Sequence, residues 1–224
     1  MNILVLSCSP NDPSNCDVLA QEFIKGAKDV CACTVQIIRL IDFELPQFTL
    51  GCYDEQCDLP ANYMKLKKAI LDADGVVIAA PVWNFGVPAH VKNFQDWMGC
   101  FCLDTETRSK GQLGGKPFFY IFTGGAPKAA WKGLMRFTTM FIRECIRYFG
   151  GTITGMLYEG HCTLGKGKFG LVVDKRPKAL ATARKQGARF ALFTRNYKKT
   201  GVLPLKHRTI EWFYKKGQRL ISKF

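Results

Sequence analysis

The sequence predicts an α/β fold in which helices cover both faces of a five-stranded parallel sheet, giving three layers. Short apolar runs alternate with stretches of helical spacing along most of the chain, the pattern of repeated strand–helix units. One run, residues 75–79 (Gly-Val-Val-Ile-Ala), is apolar throughout rather than at every second position. Such a continuous apolar run is typical of a strand that is buried on both faces of a parallel sheet.

Five strands and five helices can be placed on these patterns. The expected strands are residues 2–7, 34–40, 75–79, 117–123 and 152–158. The expected helices are one that follows Cys16 and those at residues 63–73, 88–101, 131–149 and 177–197. The helix at 131–149 is apolar nearly all round, because Phe137, Met140 and Ile146 lie partly off its core face. That core face is expected to consist of Trp131, Leu134, Met135, Thr138, Phe141, Ile142, Cys145 and Phe149. We therefore expect this helix to bury a second side.

The composition fits one globular domain. The chain has 224 residues, of which 47% are hydrophobic, and no apolar run reaches the length of a membrane span. The N-terminal residues predict a strand and lack the features of a signal peptide. Ten cysteines are scattered without the spacing of a disulfide framework. We expect free thiols and a cytoplasmic location.

Positive charge is concentrated in the last quarter of the chain. Lysine and arginine number 32 against 18 acidic residues, a net charge of +14. Residues 1–165 are close to neutral, whereas residues 166–224 contain Asp174 and Glu211 as their only acids. Dinucleotide phosphate, an anionic membrane surface or nucleic acid would each suit such a region, and a solvated basic face is the plain alternative.

The loop that follows the buried third strand is a candidate ligand site. In open α/β sheets, ligands bind beyond the carboxyl ends of the strands. Residues 81–87 contain a tryptophan, an asparagine and a phenylalanine, together with one proline, one glycine and two valines. Aromatic surface, a side-chain amide and free backbone N–H groups suit a flat ring. The candidate ring contacts are Pro81, Val82, Trp83, Asn84 and Phe85.

The loop after the first strand is a candidate phosphate site. It is rich in serine and asparagine and leads into a helix, whose N-terminal N–H groups can surround a phosphate. It has neither the GxGxxG pattern nor the lysine of a P-loop. The loop comprises residues 7–16. The plain alternative is an ordinary helix capped by Ser14.

These loops resemble those of a known family. Residues 81–96 resemble the Pro-x-Tyr-Asn-Phe-x-x-Pro-x-x-Leu-Lys-Asn-x-x-Asp signature of FMN-dependent NAD(P)H azoreductases and related quinone and FMN reductases, with Trp83 in place of tyrosine. Residues 9–16 resemble the serine-rich phosphate loop of flavodoxin-like reductases, with Cys16 where a hydroxyl is usual. This resemblance implies that the candidate phosphate ligands are Ser9, Asn11, Ser14, Asn15 and Cys16. Thr123, Gly124 and Gly125 resemble the turn that borders the flavin.

The resemblance implies a flavodoxin-like sheet of order 2-1-3-4-5 and an enzyme that binds FMN. NADH or NADPH would reduce the flavin, which would then reduce a flat acceptor such as a quinone, an azo compound, a nitroaromatic or free flavin. The flavin carries this chemistry, so no catalytic residue of the protein is assigned. The resemblance also suggests a homodimer. We do not expect nucleic acid as a partner.

Two alternatives remain open at this point. The first is a flavodoxin-like electron carrier, although such carriers are usually acidic. The second is an iron–sulfur flavoprotein, which would need a compact cluster of four cysteines. Only Cys52 and Cys57 lie in the corresponding region, with Cys31 and Cys33 before the second strand. We therefore predict no metal site.

The resemblance covers residues 1–197, which we assign to the FMN-binding domain. Residues 198–224 form a basic amphipathic C-terminal extension, in which Ile210, Phe213, Tyr214, Leu220, Ile221 and Phe224 share a helical face. An apolar face needs a surface to cover. We expect this surface to be the outer side of the 131–149 helix, on the same or a partner subunit, with an anionic membrane as the rival.

Overall fold

A computed structural model describes residues 1–54, 56–133 and 135–223 of the chain. The strands are β1 (Asn2–Ser7), β2 (Thr34–Arg39), β3 (Gly75–Pro81), β4 (Pro117–Thr123), β5 (Thr152–Glu159), β6 (Thr163–Gly165) and β7 (Lys168–Phe169). The helices are α1 (Asn15–Val30), α2 (Ala61–Asp72), α3 (Ala89–Cys102), α4 (Lys128–Lys132), α5 (Met140–Tyr148), α6 (Pro177–Thr200) and α7 (Leu205–Ile221).

The first five strands form one parallel sheet in the order β2-β1-β3-β4-β5, as predicted. The chain order reverses between β1 and β3, so the loops that follow these two strands lie side by side at the carboxyl edge of the sheet. This is the position where open α/β sheets bind ligands. Every residue of β3 and β4 is buried, which explains their continuous apolar sequences.

The sheet has a core on each face. On one face, α1 and α6 pack on the sheet around Phe23, Phe119 and Phe190, whose rings contact one another. On the other face, the core is formed with α2, α3 and α5 and includes Leu66, Met98 and other buried residues. The three predicted layers are therefore confirmed.

The predicted helix over residues 131–149 is wrong as a single element. The chain instead forms α4, a 3₁₀ segment at Met135–Thr139 and then α5. A 3₁₀ helix has three residues per turn rather than 3.6, so it rotates the apolar face of everything that follows. Ile146 is consequently buried at 1% exposure, whereas Phe141, which we expected inside, is 42% exposed. Leu134, expected on the same core face, lies outside the described residues.

The glycine-rich segment after β5 contains two strands beyond the five that the sequence predicts. β6 and β7 pair there as a short antiparallel hairpin, with Thr163 opposite Phe169. Gly167 adopts a positive φ of 68°, which a tight turn between such strands requires. This hairpin stands beside the carboxyl ends of β4 and β5.

The C-terminal helix α7 packs against α5 of the same chain, as predicted, but only part of the predicted face takes part. The Tyr214 hydroxyl donates a hydrogen bond to the Glu144 carboxylate, and Gln218 Nε2 donates to the Tyr148 carbonyl at 2.5 Å. Phe213, Leu220 and Ile221, which we expected to be covered, are each more than half exposed. Phe224 of that face lies outside the described residues.

The outer side of the 131–149 region also keeps apolar surface. Phe137 is 50% exposed and Met140 40% exposed, and neither is covered by α7. The division of the chain at residue 197 stays a prediction, since α6 continues to Thr200 before Gly201 ends it with a positive φ of 64°. None of the helices in the described ranges is long and apolar enough to cross a membrane.

Candidate flavin site

A cavity of about 360 Å³ lies at the carboxyl edge of the sheet, between the loops that follow β1, β3, β4 and β5. Its volume is in the range of small-molecule and cofactor sites. It is lined by Asn11, Asp12, Pro13, Asn15, Pro81, Val82, Trp83, Thr123, Gly124, Gly125, Cys162, Phe169 and Gly170. Eight of the thirteen predicted cofactor-binding residues therefore meet around one cavity: Asn11, Asn15, Pro81, Val82, Trp83, Thr123, Gly124 and Gly125.

The N-terminus of α1 forms one end of this cavity. Ser14 caps the helix, because its Oγ accepts a hydrogen bond from the Asp17 N–H at 3.3 Å. The N–H groups of Asn15 and Cys16, in the first turn, have no acceptor within the helix. Such groups, with the positive end of the helix dipole, suit a phosphate.

Ser14 and the other buried members of this loop lie behind the cavity wall. Ser9, Ser14 and Cys16 are nearly inaccessible, and the Cys16 thiol lies 3.0 Å from the Thr123 hydroxyl. This contact joins the loop after β1 to the end of β4. Burial raises the pKa of the Cys16 thiol to about 12, so the group stays neutral. Any contact of these three residues with a phosphate must therefore come from their backbone N–H groups rather than from their side chains.

The Asn15 side chain is engaged with another part of the protein. Its Nδ2 donates to the Gly170 carbonyl at 2.8 Å. Its Oδ1 accepts from the N–H groups of Val172 and Val173 at 2.9 and 3.0 Å. Asn15 thus ties the segment after β7 to the start of α1, and its side-chain amide is used for that purpose rather than for a ligand.

An acidic side chain also lies in this first turn. Burial raises the pKa of the Asp17 carboxyl, and the hydrogen bond that Ser7 Oγ donates to it at 2.5 Å opposes that shift. Asp12, at the cavity wall, is exposed and lies 3.8 Å from the Arg39 guanidinium, which offsets its charge.

The candidate ring-binding loop forms a tight hairpin at residues 83–86. Trp83 and Gly86 exchange two backbone hydrogen bonds of 2.8 Å, and the two residues between them have positive φ angles, 47° for Asn84 and 65° for Phe85. Two positive φ angles identify a type I′ turn, which asparagine tolerates well and phenylalanine does not. Phe85 is also 66% exposed. Asn84 and Phe85 lie at the tip of the hairpin and do not line the cavity.

The Gly124 turn approaches a stacked aromatic pair. A Cβ at Gly124 would lie 2.8 Å from the Tyr158 hydroxyl, so only glycine fits without rearrangement. Tyr158 stacks on Trp131 at 4.2 Å and donates a hydrogen bond to the Ala126 carbonyl. The backbone at this wall is therefore held rigidly against the cavity.

The segment after β5 completes the wall and was missed by sequence reasoning. Cys162, Phe169 and Gly170 line the cavity, as do Asp12 and Pro13. Arg176 holds this segment by donating to Glu159, the Gly160 carbonyl and the His161 carbonyl. The available signal was the glycine-rich composition between β5 and α6, which does not itself indicate a cavity wall.

The residues present fit FMN. The two N–H groups at the start of α1 provide a phosphate site, and the cavity extends from there to the Thr123–Gly125 turn. The exposed faces of Trp83 and Phe169 provide apolar surface for a flat ring. Gly124 lines the cavity with its backbone, because Tyr158 occupies the space that a side chain at this position would need.

Comparisons with known proteins identify the family. Residues 1–142 match the family described as NADPH-dependent FMN reductase. The chain is 33% identical over 96 residues to an FMN-dependent NADH:quinone oxidoreductase of Shewanella sp. strain W3-18-1, covering 41% of this chain and 47% of that protein. It is 27% identical over 133 residues to a protein of the same name from Burkholderia pseudomallei, covering 58% and 63%. The chain thus spans about half the length of the curated relatives it matches.

Solved structures show the same fold. The azoreductase from Bacillus anthracis str. Sterne aligns with a TM-score of 0.63 and 17% identity, covering 85% of this chain and 98% of that one. RosB with a bound 8-demethyl-8-formylriboflavin-5'-phosphate intermediate aligns with a TM-score of 0.70 and 14% identity, covering 96% and 87%. The family match extends over more than half of the chain and includes the loops after β1, β3 and β4. The protein belongs to the NADPH-dependent FMN reductase family.

Proposed function

We propose that the protein is an FMN-dependent oxidoreductase that uses NADPH or NADH to reduce a flat acceptor. The observation that carries the proposal is the cavity itself, which joins a helix N-terminus to an aromatic wall in a member of this family. A quinone is the acceptor to test first, because the curated relatives are quinone oxidoreductases by name. Azo compounds, nitroaromatics and free flavin are further candidates.

The residues of the chain would bind FMN and hold it in position. Asn15 and Cys16 would present their N–H groups to the FMN phosphate, and the loops of Trp83 and Gly124 would hold the ring. Bound FMN would supply the chemistry, taking two electrons from NAD(P)H and passing them to the acceptor. The exposed Trp83 side chain would give nicotinamide and acceptor a surface to contact in turn.

Reconstitution tests this function. Purified protein mixed with FMN should yield a yellow complex whose absorbance is bleached by NADPH or NADH without oxygen and restored by menadione. Steady-state oxidation of both nucleotides would then establish which donor is preferred. A flavoprotein that is reduced by neither nucleotide would support the electron-carrier alternative, and failure to bind FMN would refute the proposal.

Replacing Trp83 with alanine should weaken FMN binding about tenfold, because the flat ring would lose an aromatic wall, and tenfold corresponds to about 1.4 kcal/mol. Trp212→Ala is the matched control, since Trp212 is also exposed but lies in α7, away from the cavity. Fluorescence titration with FMN measures both. Equal affinity in Trp83→Ala and the parent protein would remove Trp83 from the site.

We also propose a homodimer, supported by the apolar surface that Phe137, Met140 and Phe141 expose together. Burying such a surface against its copy would remove it from water. Phe137→Ser/Phe141→Ser should convert a dimer into a monomer in sedimentation-velocity experiments while circular dichroism stays unchanged. A parent protein that sediments as a monomer at micromolar concentration would contradict this proposal.

A further inference from the structure

The outward side of α7 exposes a continuous set of large apolar side chains. Trp212 and Phe213 lie seven and eight residues after Leu205, and Leu220 lies seven residues after Phe213, which places all four on one side of the helix. Their exposed fractions lie between 54% and 75%, and Ile221 at the end of the helix is 54% exposed. The Trp212 and Phe213 rings contact each other at 4.9 Å. We refer to Leu205, Trp212, Phe213 and Leu220 as the α7 apolar face.

The opposite side of α7 is fixed to the domain. Tyr214 and Gln218 form hydrogen bonds to α5, and the His207 ring contacts the Phe193 ring of α6 at 5.4 Å. These contacts determine which side of the helix points outward. The α7 apolar face is therefore presented to its surroundings by a docked helix.

Positive charge surrounds this face. Between residues 205 and 223 the basic side chains are Lys206, Arg208, Lys215, Lys216, Arg219 and Lys223. The one acid in that stretch, Glu211, is paired with Lys215 at 2.8 Å. Lys216 lies within the apolar face itself, with its Nζ 5.1 Å from the centre of the Trp212 ring. A partner for this surface must accept apolar side chains and cations together.

We propose that α7 binds the surface of an anionic lipid bilayer, with the helix axis in the plane of the membrane. The apolar face would enter the boundary between headgroups and acyl chains, and the flanking lysines and arginines would reach anionic headgroups. Tryptophan is favoured at this depth, and lysine stems can lie along apolar surface while their ammonium groups remain in water.

The two other classes of partner fit this surface less well. A two-fold contact between copies would place the same patch against itself, so that Lys216 and Arg219 would face like charges. Nucleic acid would satisfy the cations but would leave Leu205, Phe213 and Leu220 in water. Of these three partners, the bilayer is the one that offers negative charge and apolar depth in one surface.

Flotation of the full-length protein with vesicles tests the proposal. We expect binding to phosphatidylserine–phosphatidylcholine vesicles and little binding to phosphatidylcholine alone. Lys216→Glu/Arg219→Glu should reduce binding to the anionic vesicles by at least about tenfold. Lys185→Glu/Arg189→Glu changes the charge equally at exposed positions of α6 and should reduce it no more than about twofold. Equal losses in both pairs would overturn the assignment to α7.

A second measurement separates insertion from electrostatic attraction. Trp212 fluorescence should shift to the blue on addition of anionic vesicles, and this shift should be lost in Trp212→Phe while binding is retained. Phe213→Ser/Leu220→Ser should weaken binding without altering the melting temperature, because both side chains are exposed. Three results would each overturn the proposal. The first is full vesicle binding by this variant, and the second is conversion of a dimer to a monomer by these substitutions. The third is salt-sensitive binding of the parent protein to duplex DNA but not to vesicles.

Discussion

Replacing Gly187 with alanine is expected to lower the free energy of unfolding by about 3 kcal/mol. Gly187 lies in α6 where the backbone of this helix crosses α1. A Cβ at that position would lie 1.8 Å from the Phe23 carbonyl oxygen, and a Cβ at Gly26 would lie equally close to the Arg184 carbonyl oxygen. Backbone atoms cannot move aside as a flexible side chain could, so the two helices would have to separate. Their separation would disturb the core around Phe23 and Phe190.

The control for this substitution is Gly217→Ala in α7. Gly217 is also helical, but a Cβ there would meet no atom within 4 Å, apart from its own immediate surroundings in the helix. Alanine is favoured over glycine in a helix interior by about 1 kcal/mol, so this variant should be slightly more stable than the parent. Urea unfolding followed by circular dichroism measures both. A Gly187→Ala variant as stable as the parent would show that the two helices do not pack as closely as described.

The sheet could be predicted from sequence because each strand is indicated by the apolar pattern of its own residues. β3 and β4 are apolar at nearly every position, and burial on both faces leaves them no other pattern. The close approach of α1 and α6 at Gly26 and Gly187 has no comparable signal, since it joins segments far apart in the chain. Taken alone, each glycine indicates only that the helix is locally less stable than it would be with alanine.

The 131–149 region shows a different limit. Its apolar residues fit a continuous helix when the period is taken as 3.6 throughout. A single 3₁₀ segment shifts the phase, which exchanges the positions of Phe141 and Ile146. Hydrophobic periodicity reports the face of a helix only while the helix remains regular.

The candidate site was predictable where its residues follow a strand directly. Trp83 and Gly124 come after β3 and β4, and the topology alone brings them to one edge. Phe169 and Gly170 reach the same cavity through the β6–β7 hairpin, whose placement depends on tertiary contacts. The use of the Asn15 side chain depends on those contacts too, because its partners lie more than 150 residues away.

Replacing Asn15 with alanine is expected to weaken FMN binding by at least about tenfold and to lower the free energy of unfolding by about 2 kcal/mol. The substitution removes three hydrogen bonds to residues 170–173 and leaves the Val172 and Val173 N–H groups without their acceptor, a cost of about 1–3 kcal/mol for each buried group left unpaired. Because Gly170 lines the cavity, release of this segment would remove part of the wall. The backbone N–H of residue 15 would remain available to the phosphate.

Two companion variants separate this effect from direct contact with the ligand. Asn15→Asp keeps the acceptor for Val172 and Val173, and should therefore retain more stability than Asn15→Ala. Its carboxylate would, however, repel the FMN phosphate at the start of α1. Asn11→Ala changes an exposed asparagine of the same cavity and should leave the melting temperature unchanged. FMN titration and thermal unfolding of the three variants decide the point: if Asn15→Ala weakened FMN binding without losing stability, the Asn15 amide would contact the ligand directly rather than hold the wall.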